Sequence, residues 1–128
     1  MGNKRVIKTV ICVMLVAAIL TLGCMSPAEQ SYVNGAGLYA QGRLDDAIIS
    51  FSKTIELAPD FQWAYQLRGC VYYDKGEYDK AIADFTRAIE IDPEYADAYQ
   101  SRGDAYDKKG EKGKAEADWS KAKEFANK

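Results

Sequence analysis

The chain has 128 residues, of which 48% are hydrophobic and 28% charged, and it contains no histidine, so the length suits one domain of about a hundred residues and the commonest general base and metal ligand is missing. Three of the 17 basic residues (Lys4, Arg5, Lys8) and none of the 19 acidic residues lie in 1–23, which leaves 24–128 with 14 basic against 19 acidic side chains and a formal charge of −5. Nucleic-acid partners are thereby excluded, because a phosphate backbone rewards a basic surface.

In chain order, Lys4, Arg5 and Lys8 lead into the unbroken apolar run Val10–Leu20 and then Thr21-Leu22-Gly23-Cys24, the charged, apolar, small order of a secretory signal. A spanning helix needs about 20 predominantly apolar residues, so cleavage is expected over permanent spanning. Leu20-Thr21-Leu22-Gly23-Cys24 resembles the lipobox of prokaryotic lipoproteins, with Thr21 standing where leucine is usual. That resemblance implies acylation of Cys24 as the first mature residue and a membrane held through the lipid. An ordinary signal peptide and an uncleaved anchor are the alternatives, and each keeps the domain outside the cytoplasm. The expected organisation is a signal peptide over 1–23, the attachment cysteine and a short tether over 24–28, and a repeat domain over 29–128. Four residues after Cys24 span at most about 14 Å, which places the domain, and any partner, close to the bilayer. Cys70 is the one cysteine in the folded part, so no disulfide framework is expected within it.

From Pro27 onward a period of 34 residues governs the chain. Gly35, Gly69 and Gly103 share it, as do Leu38, Tyr72 and Tyr106; Gly42, Gly76 and Gly110; Ala47, Ala81 and Ala115; Phe51, Phe85 and Trp119; and Pro59 and Pro93, with Asn127 in the third copy. The units are 28–61, 62–95 and 96–128. Each reads as two helices: Tyr65, Gly69 and Tyr72 stand at i, i+4 and i+7, and Ala81, Phe85 and Ala88 repeat that spacing. Gly69 lets two helix axes approach while Phe85 fills the space beside it. Gly76 is expected to end the first helix in a left-handed conformation and Asp79 to favour the start of the second. Asp92 is expected to cap the next helix, with Pro93 in its first turn.

These residues, above all Tyr65, Gly69, Tyr72, Ala81, Phe85, Ala88 and Pro93 in the second copy, resemble the tetratricopeptide repeat family. The resemblance implies an all-α fold, a right-handed solenoid of three helix-turn-helix repeats. The outer copies depart from the pattern at Ser31 and Thr54 and at Gly113 and Asn127, as terminal repeats commonly do. The chain also ends with the third hairpin, so that self-association through Trp119 and Phe125 is an open consequence.

The family resemblance further implies a concave groove lined by the first helix of each hairpin. Its positions here are Glu29, Tyr32, Ala36 and Tyr39, then Trp63, Gln66, Cys70 and Tyr73, then Asp97, Gln100, Asp104 and Asp107. The lining is aromatic at one end and acidic at the other, which suits a protein or peptide with apolar anchors and a basic segment. The competing reading is a set of ordinary surface tyrosines beside a solvated acidic face. A family subtype grips a carboxylate with Lys, Asn and Arg, and the corresponding Tyr32, Ala36, Leu67, Asp97 and Ser101 lack that clamp. Gly35-Ala36-Gly37-Leu38-Tyr39-Ala40 matches a dinucleotide fingerprint in letters, but no strand precedes it. Cys70 reads as packing, and Asp74, Glu77 and Asp79 as caps and solvated charge. No catalytic residue, metal or cofactor is expected. The reading that follows is a non-catalytic adaptor in an envelope complex, with a self-associating structural module, or an accessory subunit that positions an enzyme or transporter, as alternatives.

Overall fold

The computed structural model describes residues 24–128, and the leader expected over 1–23 lies outside them. Among the described residues are six α-helices and no strand: α1 Pro27–Ala40, α2 Leu44–Leu57, α3 Gln62–Asp74, α4 Tyr78–Ile91, α5 Ala96–Lys108 and α6 Lys112–Ala126. They pack as three hairpins, α1 with α2, α3 with α4 and α5 with α6, and each second helix also packs on the first helix of the next hairpin. The architecture is an all-α helical repeat solenoid.

Helix α1 begins with a reciprocal cap. The Glu29 N–H donates to Ser26 Oγ at 3.2 Å, and the Ser26 N–H donates to Glu29 Oε2 at 2.7 Å, which satisfies two amides the first turn would otherwise leave free. With Pro27 at the first position the helix starts at once. Pro27 and Ala28, expected in the tether, are therefore helical, and only Met25 and Ser26 separate Cys24 from α1.

Within each hairpin the turn depends on a left-handed glycine, with φ of 74° at Gly42, 75° at Gly76 and 80° at Gly110, a region closed to most side chains. The close approach of the helices depends on a different set. A Cβ on Gly69 would lie 2.6 Å from the ring of Phe85, and one on Gly35 would lie 2.8 Å from the ring of Phe51. Phe51 and Phe85 are fully buried as a result.

Between hairpins the connection differs from expectation. Asp92 closes α4 instead of capping α5: its Oδ1 accepts the Glu94 N–H at 3.1 Å, and its carbonyl accepts the Tyr95 N–H at 3.1 Å. That turn holds Pro93 outside the helix, so α5 begins at Ala96. The Pro93 carbonyl accepts the Tyr99 hydroxyl at 3.0 Å, as the Pro59 carbonyl accepts Tyr65 at 3.1 Å.

The buried clusters cross the hairpin boundaries. Phe51 and Ala47 of α2 meet Val71 of α3, Ala88 of α4 meets Tyr65 and Ala98, and Phe85 meets Ala81 and Ala105. Two arginines reinforce this stacking. Arg68 donates through Nε and Nη2 to both oxygens of Asp84 at 2.8 Å, and through Nη1 to Ser52 Oγ of the preceding hairpin at 2.9 Å. Arg102 repeats the arrangement with Asp118 at 2.7 Å and Thr86 at 3.1 Å. Paired guanidinium and carboxylate groups of this geometry are strong because both hydrogen bonds carry charge. In the first hairpin the same positions hold Asn34 and Ser50, joined by one hydrogen bond of 2.9 Å.

At the far end the stacking surface changes character. Ile48 and Ile82, and likewise Ile55 and Ile89, pack against the clusters between hairpins, whereas one period later the same positions are Glu116 and Lys123, both exposed. The last helix thus presents charge where earlier ones present isoleucine.

Candidate functional site

The first helices α1, α3 and α5 touch one another along one side of the stack. At the N-terminal end Tyr32 of α1, Phe61 just before α3 and Trp63 of α3 form an aromatic row: the Tyr32 and Phe61 ring centroids are 5.1 Å apart, those of Phe61 and Trp63 are 5.3 Å apart, and both pairs are edge-on. Such contacts favour the ring quadrupoles. Trp63 still has 47% of its surface in solvent. Burial raises the affinity of the Tyr32 hydroxyl for its proton.

Further along, a cavity of about 190 Å³ opens among Tyr39, Cys70, Tyr73, Asp74, Ser101 and Asp104, with Phe85 beneath. The Tyr39 hydroxyl donates to Asp74 Oδ2 at 2.6 Å. Burial first, and then the Asp74 carboxylate, hold that hydroxyl protonated well above the usual phenol range. Tyr73 stands edge-on to Tyr78 at 5.4 Å. The Cys70 thiol is pushed up to about 11, chiefly by burial and then by the negative charge of Asp74. The neutral thiol is consequently the favoured form, which suits a packing role.

Gln66 is only 7% exposed. Its Nε2 donates to Ser101 Oγ at 2.9 Å and to Cys70 Sγ at 3.7 Å, while its Oε1 is buried and has no partner among the described residues. Asp104 Oδ1 accepts both Trp119 Nε1 at 2.8 Å and Gln100 Nε2 at 3.0 Å.

The structure thus brings Tyr39, Tyr73 and Asp104 into one cavity, places Gln66 behind it on the lining residues Cys70 and Ser101, and sets Tyr32 and Trp63 in the aromatic row. Asp97 and Gln100 line a neighbouring hollow of about 480 Å³ with Trp119 and Lys123, on the α6 side. The charge of Asp97 still reaches Cys70, and that of Asp107, which is exposed, reaches Tyr73. Glu29, expected in the lining, spends its carboxylate on the cap of α1 instead. Cys24, the expected attachment residue, is exposed.

Phe61, Asp74 and Ser101 take part as well, although the sequence reading left Phe61 out, took Asp74 for a cap or solvated charge and named Ser101 only as a position that lacks a clamp residue. A signal for two of them was present: Tyr39–Asp74 and Gln66–Ser101 are both separated by 35 residues, one repeat plus one position. A pairing search at that offset, beside the period itself, would have found them.

Comparison with known proteins gives the same repeat. A family profile described as TPR repeat matches residues 69–110, and one described as tetratricopeptide repeat matches 96–128. No curated protein matches the chain. Among solved structures it is similar to MamA, at 35% identity with a TM-score of 0.76, over 78% of this chain and 58% of that one. The chain therefore spans less than two thirds of the length of that relative. It is also similar to the first TPR of Spaghetti (RPAP3) bound to the HSP90 peptide SRMEEVD, at 23% identity and TM-score 0.76, over 77% of this chain and 78% of that one. The Sgt2 TPR domain from Aspergillus fumigatus matches at 22% identity and TM-score 0.77, over 80% and 68%. At these last two identities the likeness concerns the fold.

Proposed function

The chain belongs to the tetratricopeptide repeat family, and we propose that it is a non-catalytic adaptor, lipid-anchored through Cys24 on the outer side of a cell membrane, whose concave face binds a protein or peptide partner within an envelope complex. The observation that carries this reading is the aromatic row Tyr32–Phe61–Trp63 with Trp63 half in solvent. Large flat side chains held by their neighbours bring contact area at low entropic cost, which is why they anchor interfaces.

Charge narrows the partner. The peptide SRMEEVD in the complex of the Spaghetti domain is acidic at its end, whereas the lining here carries Asp74, Asp97, Asp104 and Asp107. An acidic tail would meet like charge, and a segment with apolar anchors and basic residues would not.

Position narrows it further. Only two residues stand between Cys24 and α1, so the domain lies within about 10 Å of the acylated residue and engages partners at the membrane. End-to-end self-association is disfavoured, because Glu116 and Lys123 replace the isoleucines that mediate stacking elsewhere.

The test is a crosslinking pull-down from membranes with the full chain and its Trp63→Ala variant. Recovery of a membrane-associated protein that the variant loses supports the adaptor. Recovery of the chain alone from both transfers the reading to a self-associating structural module. Metabolic labelling with a fatty acid, compared with Cys24→Ser, tests the anchor: equal label in both removes it.

A further inference from the structure

We propose that the outer face of the first hairpin, the side turned away from α3, lies against the lipid surface that holds Cys24 and so stands the groove upright on the bilayer; this rests on the lipid-anchor reading above and names the face that the anchor brings down.

The repeat identifies the face. In the second hairpin Leu67 and Val71 pack with Ala47 and Phe51 of the hairpin before, and Ala64 is fully buried. One period earlier the same positions are Gln30, Val33 and Gly37, and all three are exposed. Val33 leaves 55% of its surface in solvent, and a Cβ on Gly37 would meet nothing within 4 Å. Leu57 belongs to the same side. It follows Ser50 by seven residues and so shares a helical face with it, and Ser50 holds the place from which Asp84, through Arg68, faces the preceding hairpin. Its counterpart Ile91 packs on the cluster that contains Tyr65, and Phe125 packs on Tyr99. Ser31 brings no such ring, and Leu57 stays 45% exposed.

This face is also the one without free charge. Where later hairpins place the pairs Arg68–Asp84 and Arg102–Asp118, the first has Asn34 and Ser50, joined by a neutral hydrogen bond of 2.9 Å. Glu29 is the one charged residue of α1, and its carboxylate is held by the Ser26 amide. Arg43 and Asp46, just beyond α1, neutralise each other at 2.7 Å. The helix at the other end of the stack, α6, carries four lysines and three acidic residues. Charge suits an end that meets water, whereas a neutral end with Val33 and Leu57 uncovered suits a less polar boundary.

Position says which boundary that is. Cys24 is exposed, and only Met25 and Ser26 part it from α1, so an acyl chain on Cys24 brings the first hairpin to the lipid ahead of the other two. The apolar run Val10–Leu20 precedes the same point. Residues 24–128 carry 14 basic against 19 acidic side chains, and a leaflet of anionic headgroups repels acidic surface over about 10 Å. A face without net charge is the one such a leaflet accepts at contact. Val33 and Leu57 then enter the headgroup boundary, and the amides of Gln30 and Asn34 hydrogen-bond to headgroups. The groove consequently stands on its aromatic end, with Asp104 and Asp107 of the third hairpin farthest from the lipid.

The test places nitroxide labels on the full chain, purified from membranes and reconstituted in vesicles of phosphatidylglycerol and phosphatidylethanolamine, in a Cys12→Ser, Cys70→Ser background. Labels at Val33→Cys, Leu57→Cys and Lys123→Cys are compared by their collisions with oxygen, which concentrates in lipid, and with a nickel chelate, which stays in water. The expected result is a preference for oxygen at positions 33 and 57 and for the chelate at 123. Gly37→Glu, whose side chain has open space, should abolish the oxygen preference at position 57 while the chain still floats with the vesicles.

A chelate preference at 33 and 57 in a chain that floats would overturn the proposal and leave the anchor standing. An unchanged oxygen preference in Gly37→Glu would overturn it too. So would spin–spin broadening at position 33 that disappears on dilution with unlabelled chain, since a second copy would then cover the face. Failure to float, with no fatty-acid label on Cys24, removes the anchor and the proposal with it.

Discussion

The second and third hairpins are each held by an arginine that ties its own helix to two others, whereas the first hairpin holds the same position with a single asparagine–serine hydrogen bond. The difference follows from position in the stack. Arg68 and Arg102 each bind a carboxylate in their own hairpin and a hydroxyl in the hairpin before, so they clamp a junction; among the described residues Asn34 meets only its own hairpin. The same logic appears at the surface. Lys109 binds Asp79 at 2.5 Å across the junction of the second and third hairpins, and Lys75 binds Asp45 across the first, whereas Gly113 stands in place of the acid in the third copy. Among the described residues, the outer copies depart from the repeat at positions that in the middle copy bind a neighbouring hairpin.

Five substitutions sharpen or break this comparison. The largest effect is expected for Phe85→Ala, which empties the packing beside Gly69 and should cost about 3–5 kcal/mol in urea denaturation. Phe51→Ala in the first hairpin should cost as much, since both rings are fully buried against a glycine. A much smaller loss for Phe51→Ala would show that the first hairpin frays on its own.

Next comes the clamp itself. Asp84→Ala leaves the Arg68 guanidinium half-buried and uncompensated, so a loss of about 3 kcal/mol is expected. Ser50→Ala at the equivalent position in the first hairpin removes one neutral hydrogen bond and should cost about 1 kcal/mol. Equal losses by chemical denaturation would contradict the assignment of the arginine to the junction.

The smallest change is expected for Lys109→Ala. Its ammonium is exposed and is held by Asp79 and Glu111, which raise its affinity for the proton, but water and salt screen such pairs. The melting temperature should not move measurably. A clear drop would mean that the surface ladder, and not the buried arginines, ties the hairpins together.

Much of the fold was legible in the sequence for local reasons. Gly42, Gly76 and Gly110 announce left-handed turns because few other residues adopt that backbone, and Gly69 beside Phe85 announces close packing because their volumes are complementary. Asp92 was misleading for an equally local reason: its side chain serves a turn or a helix cap with the same hydrogen bond, and the four-residue turn to Tyr95 took it. Of the groove, the sequence suggested Tyr39, Gln66 and Tyr73 by position but not Asp74 or Ser101, whose roles depend on a neighbour one repeat and one residue away.

The period of 34, the glycine turns and the close approach of the two helices in each hairpin were thus determined by the sequence alone, since each rests on contacts within one hairpin. Which polar atoms meet across hairpins was decided only by the tertiary structure. The stacking offset between successive hairpins sets whether Tyr39 reaches Asp74, whether Arg68 reaches Ser52 and whether Gln66 is left with an acceptor unfilled, and that offset is a property of how whole helices pack, which no single residue encodes.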